Sequence, residues 1–133
     1  MNTTHPVLVV DDSQTVRHVV RRHLNALGFN DIDTAENGQS AIELLSKRKY
    51  GLLLSDWEMQ PMGGEQLLKA VREMPKYMRL PVILITAKSS RAASWSAGAN
   101  AYLSKPFTYD EFKKAIQIVF QNRSLRLSQK DNE

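Results

Sequence analysis

The sequence predicts an α/β fold in which strands and helices alternate around a parallel sheet. Short apolar runs alternate five times with stretches of helical period, and no internal repeat interrupts the pattern. The run Val82 to Thr86 is aliphatic and β-branched, which is typical of a strand that helices cover on both faces. The chain has 133 residues, the size of one domain with one hydrophobic core. These observations favour a doubly wound, five-stranded parallel sheet with five helices.

The first two strand–helix units are predicted before residue 50. Val7 to Val10 is the first strand, and apolar residues then recur at helical spacing at Val16, Val19, Val20, Leu24 and Leu27. Gly28 is expected to end this helix. A weaker second strand is predicted over Asp31 to Ala35, and Asn37-Gly38 marks the turn before a second helix over Gln39 to Lys49.

The third and fourth units follow the same plan. Leu52 to Ser55 is the predicted third strand, and a third helix is indicated by the apolar residues Leu67, Leu68, Val71 and Met74. Pro75 bounds this helix. After the fourth strand, the segment Ser89 to Ala97 is rich in serine, so we expect only a short fourth helix there.

The last unit carries the clearest helical pattern. Asn100 to Ser104 is the predicted fifth strand, and Thr108 to Phe120 is the predicted fifth helix. Thr108 and Glu111 have the spacing of a capping box at its start. Apolar content falls beyond residue 121, so we expect one domain over residues 1–133, with a core over about 6–121 and a frayed tail over 122–133.

Composition excludes several classes of protein. The chain has no cysteine, which excludes disulfide scaffolds, thiolate metal sites and thiol nucleophiles. Its apolar runs are too short to cross a bilayer, and the amino terminus MNTTHP lacks a secretory signal, so we expect a cytoplasmic protein. The formal charge is +4, but the basic residues are scattered and no nucleic-acid motif accompanies them. A solvated surface is therefore favoured over nucleic-acid binding.

Polar side chains stand at the carboxyl ends of four predicted strands. Asp11 and Asp12 follow the first strand, Asp56 the third, Thr86 ends the fourth, and Lys105 follows the fifth by way of Ser104. Because parallel strands end at one edge of a sheet, and ligands of open α/β sheets bind at that edge, we expect these groups to converge.

Such a cluster points to phosphoryl chemistry. Three neighbouring carboxylates repel one another, and their hard oxygens favour Mg²⁺, which leaves a coordination position for a phosphate oxygen. Lys105 offers a positive charge and Thr86 a hydroxyl donor to phosphoryl oxygens. Asp56 is then the carboxylate that attacks phosphorus and becomes an acyl phosphate.

The sequence resembles the receiver domains of two-component response regulators, most closely the single-domain chemotaxis type. The resemblance covers about residues 6–120 and is carried by the motifs VLVVDDS, LGFNDIDTAENG, LLLSDWEMQPMGG, PVILITA and YLSKPFT. It implies a flavodoxin-like fold with strand order 2-1-3-4-5. It also implies a phosphorylation-activated switch that catalyses only its own phosphorylation and dephosphorylation and is not a turnover enzyme.

The resemblance assigns roles residue by residue. Asp56 matches the phosphoacceptor, and the magnesium ligands would be Asp11, Asp12, Asp56 and the backbone carbonyl of Glu58. Thr86 and Lys105 match the phosphoryl-binding pair, and a cis peptide bond before Pro106 would aim Lys105 into the site. Activation would draw Thr86 inward and let Tyr102 fill the vacated space. The face of the fourth helix, fifth strand and fifth helix would report the change.

The resemblance also implies partners. A sensor histidine kinase or phosphotransfer protein would supply the phosphoryl group, and a flagellar motor switch protein or another effector would receive the signal. We expect no nucleic-acid partner and a monomer that can dimerise on activation. The alternative is a standalone phosphorelay receiver, or a receiver excised from a longer regulator, whose output is not the flagellar motor.

Three departures from the family pattern concern the surroundings of the site. Gln60 stands where the chemotaxis relative has proline, with Pro61 one place later, so the loop after Asp56 is expected to turn differently. The segment between Thr86 and Gly98 is about one helical turn shorter than usual. Glu58 and Lys88 flank the phosphoryl site with opposite charges. Either they pair across its mouth and slow hydrolysis, or both are solvated.

Three other functions fit the sequence less well. A haloacid-dehalogenase-type phosphatase requires a second aspartate two residues after its nucleophile, whereas residue 58 is glutamate. A flavodoxin requires a hydroxyl-rich phosphate loop after the first strand, where this chain has two aspartates that repel phosphate. A non-phosphorylated adaptor would not need the complete acidic site.

Overall fold

A five-stranded parallel sheet is the framework of the protein. The computed structural model describes residues 2–87 and 98–131, and side chains through residue 121. The strands are β1 Val7–Val10, β2 Ile32–Ala35, β3 Leu52–Asp56, β4 Val82–Ala87 and β5 Ala101–Lys105. Their order is β2-β1-β3-β4-β5 and every neighbouring pair is parallel, which confirms the predicted fold.

Helices cover both faces of this sheet. Those in the described ranges are α1 Gln14–Ala26, α2 Gly38–Lys47, α3 Gly64–Glu73 and α4 Tyr109–Asp131, with a 3-10 turn at Pro75–Tyr77. Helix α4 is the fifth helix of the sequence analysis, because the predicted fourth helix, Ser89 to Ala97, lies outside the described residues. None of the helices described is long and apolar enough to cross a membrane.

Alternation along the strands divides the core into two layers. In β1, Val7 and Val9 pack with α1 and α4, whereas Leu8 and Val10 pack with α2 and α3. Successive side chains of a strand point to opposite faces, so a run that is apolar at every position is buried on both sides. Burying each such leucine or valine side chain contributes about 1.5–3 kcal/mol. The rigid sheet therefore fixes the positions of its strand ends.

Local signals in the sequence begin and end the helices. The Ser13 hydroxyl accepts from the Val16 backbone N–H at the start of α1, and Gly28, with φ of 102°, follows its end as expected. The predicted capping box is confirmed: Glu111 N–H donates to the Thr108 hydroxyl at 3.1 Å and Thr108 N–H to the Glu111 carboxylate at 3.0 Å.

Several predicted element ends are wrong. The strand β4 continues to Ala87, one residue beyond Thr86, and α2 ends at Lys47 and not at Lys49. The strand β3 includes Asp56 and β5 includes Lys105, because parallel pairing with β4 extends to these residues. The fifth helix does not end at Phe120 but continues to Asp131. Residues 122–131 contain neither proline nor glycine, so low apolar content alone did not stop the helix.

Candidate functional site

Three carboxylates meet at the carboxyl edge of the sheet. Asp11 and Asp12 follow β1, and Asp56 ends β3, which lies directly beside β1. One oxygen from each of the three side chains lies within 4.8 Å of the others. Asp11 and Asp56 are 1% and 6% exposed, whereas Asp12 is exposed to solvent. The predicted convergence of these three residues is therefore present in the structure.

Lys105 supplies the positive charge of this cluster. Its Nζ lies 3.1 Å from Asp11 Oδ2 and 3.3 Å from Asp56 Oδ1, and its side chain is 30% exposed. The Lys105–Pro106 peptide bond is cis, as the resemblance implied. One ammonium thus contacts two carboxylates that come from different strands.

Burial and neighbouring charges shift the titration of both partners. Burial, followed by the charge of Asp11, raises the pKa of Asp56, and Lys105 and the backbone N–H of Glu58 only partly offset this. Burial lowers the pKa of Lys105, but the carboxylates of Asp11 and Asp56 outweigh it, and the net shift is upward. The surroundings therefore favour the charged form of Lys105 and disfavour the charged form of Asp56.

Thr86 carries the hydroxyl group of β4 and lies next to the carboxyl end of that strand. It is fully buried, and its Oγ1 has no hydrogen-bond partner among the residues that the structure describes. Strand pairing places Asp56 opposite Ile85, the residue before Thr86. A buried hydroxyl without a partner is costly, so this group is an available donor at the edge that carries Asp56.

Tyr102 lies on the same face of the sheet as Thr86. It pairs in register with Leu84, two residues before Thr86, and residues two apart on a strand share a face. Its side chain is half-buried against the layer that contains α2 and α3. The Tyr102 hydroxyl accepts from the Ala99 backbone N–H at 3.3 Å. This placement agrees with the proposed coupling of the two residues but does not test it.

The structure describes Glu58 but not Lys88. Glu58 is exposed, and its backbone N–H is hydrogen-bonded to the Asp56 carboxylate. Lys88 lies outside the described residues, so the suggested pair between them stays a prediction. In the loop after Asp56, the Gln60–Pro61 bond is cis and Met62 has φ of 65°.

Two contacts that support the site were not predicted from the sequence. Arg17 Nη1 donates to the backbone carbonyl of Asp11 at 2.6 Å, and the Ser13 backbone N–H donates to Asp11 Oδ1 at 2.9 Å. The nearest sequence signal is the position of Arg17 one turn into α1 after Ser13. Charge alone could not distinguish it from the other arginines of this helix.

Gly64 allows the loop after β3 to return to the strand. A Cβ atom at this position would lie 2.4 Å from the Asp56 carbonyl oxygen and 2.9 Å from Trp57 Cα. The Gly64 N–H donates to the Trp57 carbonyl at 2.9 Å. Only glycine fits such a close approach of two backbones, so Gly64 helps to fix the backbone that carries Asp56.

The donor set fits a hard divalent cation. All three side chains offer carboxylate oxygens. Within the described ranges, buried Asp11 Oδ2 has no hydrogen-bond partner besides its ion pair with Lys105. One ammonium cannot neutralise three carboxylates, so a cation at this position would relieve the remaining repulsion. Small oxygen-preferring ions such as Mg²⁺ bind one or two carboxylates together with waters and phosphate oxygens.

Comparison with known proteins agrees with this geometry. The family described as the response regulator receiver domain matches residues 7–117. The chain belongs to this family. Among curated relatives of this receiver domain is the chemotaxis protein CheY-3 of Vibrio cholerae, 36% identical over 124 residues, which are 91% of this chain and 95% of the relative.

Solved structures agree in fold with this receiver domain. The chemotaxis response regulator CheY4 of Vibrio cholerae has 32% identity and a TM-score of 0.81, covering 88% of this chain and 99% of its own. The response regulator TrrA of Thermotoga maritima, solved in complex with Mg²⁺ and BeF, has 31% identity and a TM-score of 0.77, covering 87% and 99%. The predicted family and chemotaxis-type relationship are therefore confirmed.

Proposed function

We propose that this receiver domain accepts a phosphoryl group on Asp56 from a phosphohistidine of a sensor histidine kinase or phosphotransfer protein. The observation that carries the proposal is the position of Asp56, buried at the end of β3 and 3.3 Å from Lys105 Nζ. Burial raises the pKa of Asp56, and a more basic carboxylate is a stronger nucleophile once it is ionised.

Phosphoryl transfer to Asp56 forms one bond to phosphorus and breaks another. A carboxylate oxygen of Asp56 attacks phosphorus, the phosphorus–nitrogen bond of the donor breaks, and its electron pair stays on the imidazole nitrogen. The product is an acyl phosphate on Asp56, and attack of water on phosphorus later returns the carboxylate and inorganic phosphate. The chain therefore catalyses only its own phosphorylation and dephosphorylation, as a signalling switch.

The other residues of the site have distinct roles in this proposal. Lys105 Nζ, already 3.3 Å from Asp56, pairs with a phosphoryl oxygen, and the unpartnered Thr86 hydroxyl donates to another. Asp11, Asp12, Asp56 and the Glu58 carbonyl would hold Mg²⁺. When bound, Mg²⁺ would neutralise charge on the carboxylates and on the transferring group.

The conformational output rests on Thr86 and Tyr102. When Thr86 donates to the phosphoryl group, the space it leaves on the same face of the sheet admits the Tyr102 ring. The proposed recipient of this signal is a flagellar motor switch protein, because the relatives CheY-3 and CheY4 of Vibrio cholerae are chemotaxis proteins. The cytoplasmic location, the monomeric state and the single domain with a core over about 6–121 stay predictions.

The decisive experiment is phosphorylation of the full chain by a small donor. Wild-type protein is incubated with Mg²⁺ and acetyl phosphate, and intact mass is measured for the gain of one phosphoryl group. Asp56→Asn should show no gain, and the exposed Glu36→Gln, which removes the same charge, should be modified like the wild type. Modification of Asp56→Asn at the wild-type level would refute the assignment.

A second measurement tests the link to conformation. Trp57 follows Asp56 directly and is half-buried, so its emission should change when beryllofluoride and Mg²⁺ are added. A Trp95→Phe background leaves Trp57 as the single tryptophan, since the chain has two. The change should disappear in Asp56→Asn, and its persistence there would place the responding group elsewhere.

A further inference from the structure

A second cleft lies at the edge of the sheet opposite to Asp56. It has a volume of about 280 Å³ and opens beside the residues that precede β1, β3 and β4. Because β3 has five residues, the cleft and the phosphoacceptor are separated by roughly 17 Å of strand. The cleft is therefore independent of the site described above.

The walls of this cleft are cationic and its floor is apolar. The walls carry four exposed side chains, His5, Lys49, Lys76 and Arg79, while Tyr50 and Leu80 form the floor with exposures of 3% and 6%. No aspartate or glutamate is found among the described residues that line the cleft. All formal charge on its surface therefore has one sign.

The cations of the walls have no carboxylate partner in the part of the chain that the structure describes. Within the described parts of the chain, Lys49, Lys76 and Arg79 make no ion pair, and Lys76 Nζ lies 5.1 Å from the centre of the Tyr77 ring. The adjacent Arg48, in contrast, pairs with both Asp31 and Asp33. The contrast shows that the chain neutralises the cation beside the cleft but not the cations within it.

The His5 side chain, which forms one wall of the cleft, packs directly against the backbone of Gly51. A Cβ atom on Gly51 would lie 2.5 Å from Cβ of His5 and 2.7 Å from its Cγ, so the imidazole packs where a side chain would otherwise be. The Gly51 N–H donates to the Pro6 carbonyl at 2.9 Å, which joins the two segments. His5 is thus fixed at the cleft by the start of β3 and is not merely a residue of a free terminus.

We propose that this cleft binds a small anion that carries at least two negative charges on phosphate groups. Concave surfaces of one sign concentrate the electrostatic potential, and cations without partners gain most from a multiply charged ligand. The volume lies near the lower limit of small-molecule pockets, which favours a ligand the size of pyrophosphate over an extended polymer.

Binding is tested with inorganic pyrophosphate, the full chain and metal-free buffer. Without a cation the three carboxylates of the other edge repel anions, so the probe should not bind there. We expect saturable amide shifts in ¹⁵N–¹H spectra at Tyr50, Gly51 and Leu80. Saturable shifts confined to Asp56 and Lys105 would overturn the proposal and would leave the phosphoryl-transfer proposal intact.

Two double variants of equal charge distinguish binding of pyrophosphate in the cleft from general electrostatic attraction to the protein. Lys76→Gln/Arg79→Gln removes two cations from the cleft, and Lys113→Gln/Lys114→Gln removes two exposed cations from α4. The cleft variant should bind pyrophosphate about tenfold more weakly and the α4 variant within about twofold of the wild type. Equal weakening in both variants would overturn the proposal, as would tighter binding of a short DNA duplex than of pyrophosphate.

Discussion

Replacing Asp56 by asparagine should stabilise the metal-free protein at neutral pH. The substitution keeps the size of the side chain and removes one of three carboxylate charges that lie within 4.8 Å of one another. The wild-type residue is 6% exposed, and burial raises its pKa. The charged form is therefore less favourable in the folded protein than in the unfolded chain.

The charges around Asp56 determine how much the Asp56→Asn substitution should stabilise the protein. With an effective dielectric constant of about 20, two charges at 4.8 Å, the upper limit of the separation within the carboxylate cluster, repel by about 3.5 kcal/mol. The attraction across the 3.3 Å between Asp56 and Lys105 is about 5 kcal/mol. Repulsion from Asp11 and weaker repulsion from the exposed Asp12 nearly cancel this attraction. The cost of burying the Asp56 charge then decides the sign, and we expect a gain of about 1 kcal/mol.

The gain should depend on pH with a definite sign. Because the pKa of folded Asp56 is raised above its ordinary value of 3.8, ionisation destabilises the fold as pH rises through the interval between those two values. The advantage of Asp56→Asn should thus be full above the folded-state pKa and should vanish below about pH 3.8, where the carboxyl is protonated in both states.

Urea unfolding in the presence of a chelator measures this advantage. Free energies of unfolding are compared across pH for the wild type, Asp56→Asn and the exposed Glu36→Gln, which makes the same change of charge. Added Mg²⁺ should stabilise the wild type more than Asp56→Asn, since the latter loses a ligand. A neutral-pH stability of Asp56→Asn at or below that of the wild type would refute the reasoning.

Three further substitutions test other parts of the structure by urea unfolding. Lys105→Met should cost about 2–3 kcal/mol without metal, because it leaves two buried carboxylates without their cation; an unchanged stability would contradict the ion pairs. Gly64→Ala should cost at least about 1 kcal/mol and slow acetyl phosphate labelling, since its Cβ would meet the Asp56 carbonyl at 2.4 Å; the milder Gly63→Ala, with its nearest atom at 3.1 Å, is the control. Thr108→Ala should cost about 1 kcal/mol through loss of the helix cap, and full retention of stability would exclude that role.

Most of the fold could be predicted because its signals are local. The apolar run of β4 and the glycine after α1 each act through neighbouring residues, and the structure has both where the sequence indicates them. The ends of β3 and β5 were missed because pairing with β4, and not hydrophobicity, includes Asp56 and Lys105 in the strands. The order of the strands came from the family resemblance, since alternation alone does not fix it.

The candidate site could be predicted only as far as strand ends define it. Parallel strands bring Asp11, Asp56 and Lys105 to one edge whatever the details of packing. The contact of Arg17 with the Asp11 carbonyl depends on how α1 lies against β1, and no spacing rule contains it. The cationic cleft could not be predicted from spacing either, because its walls come from three separate segments that only the folded sheet brings together.

The charge imbalance at the phosphoacceptor links stability to function. An apolar residue in place of Asp56 would avoid the cost of burying a charge, but it would supply neither a nucleophile nor a ligand for a cation. The Thr86 hydroxyl, which has no partner among the described residues, adds a second cost of the same kind. A ligand that supplies a cation and phosphoryl oxygens would relieve both costs at once, so the groups that weaken the metal-free fold are those that favour the phosphorylated state.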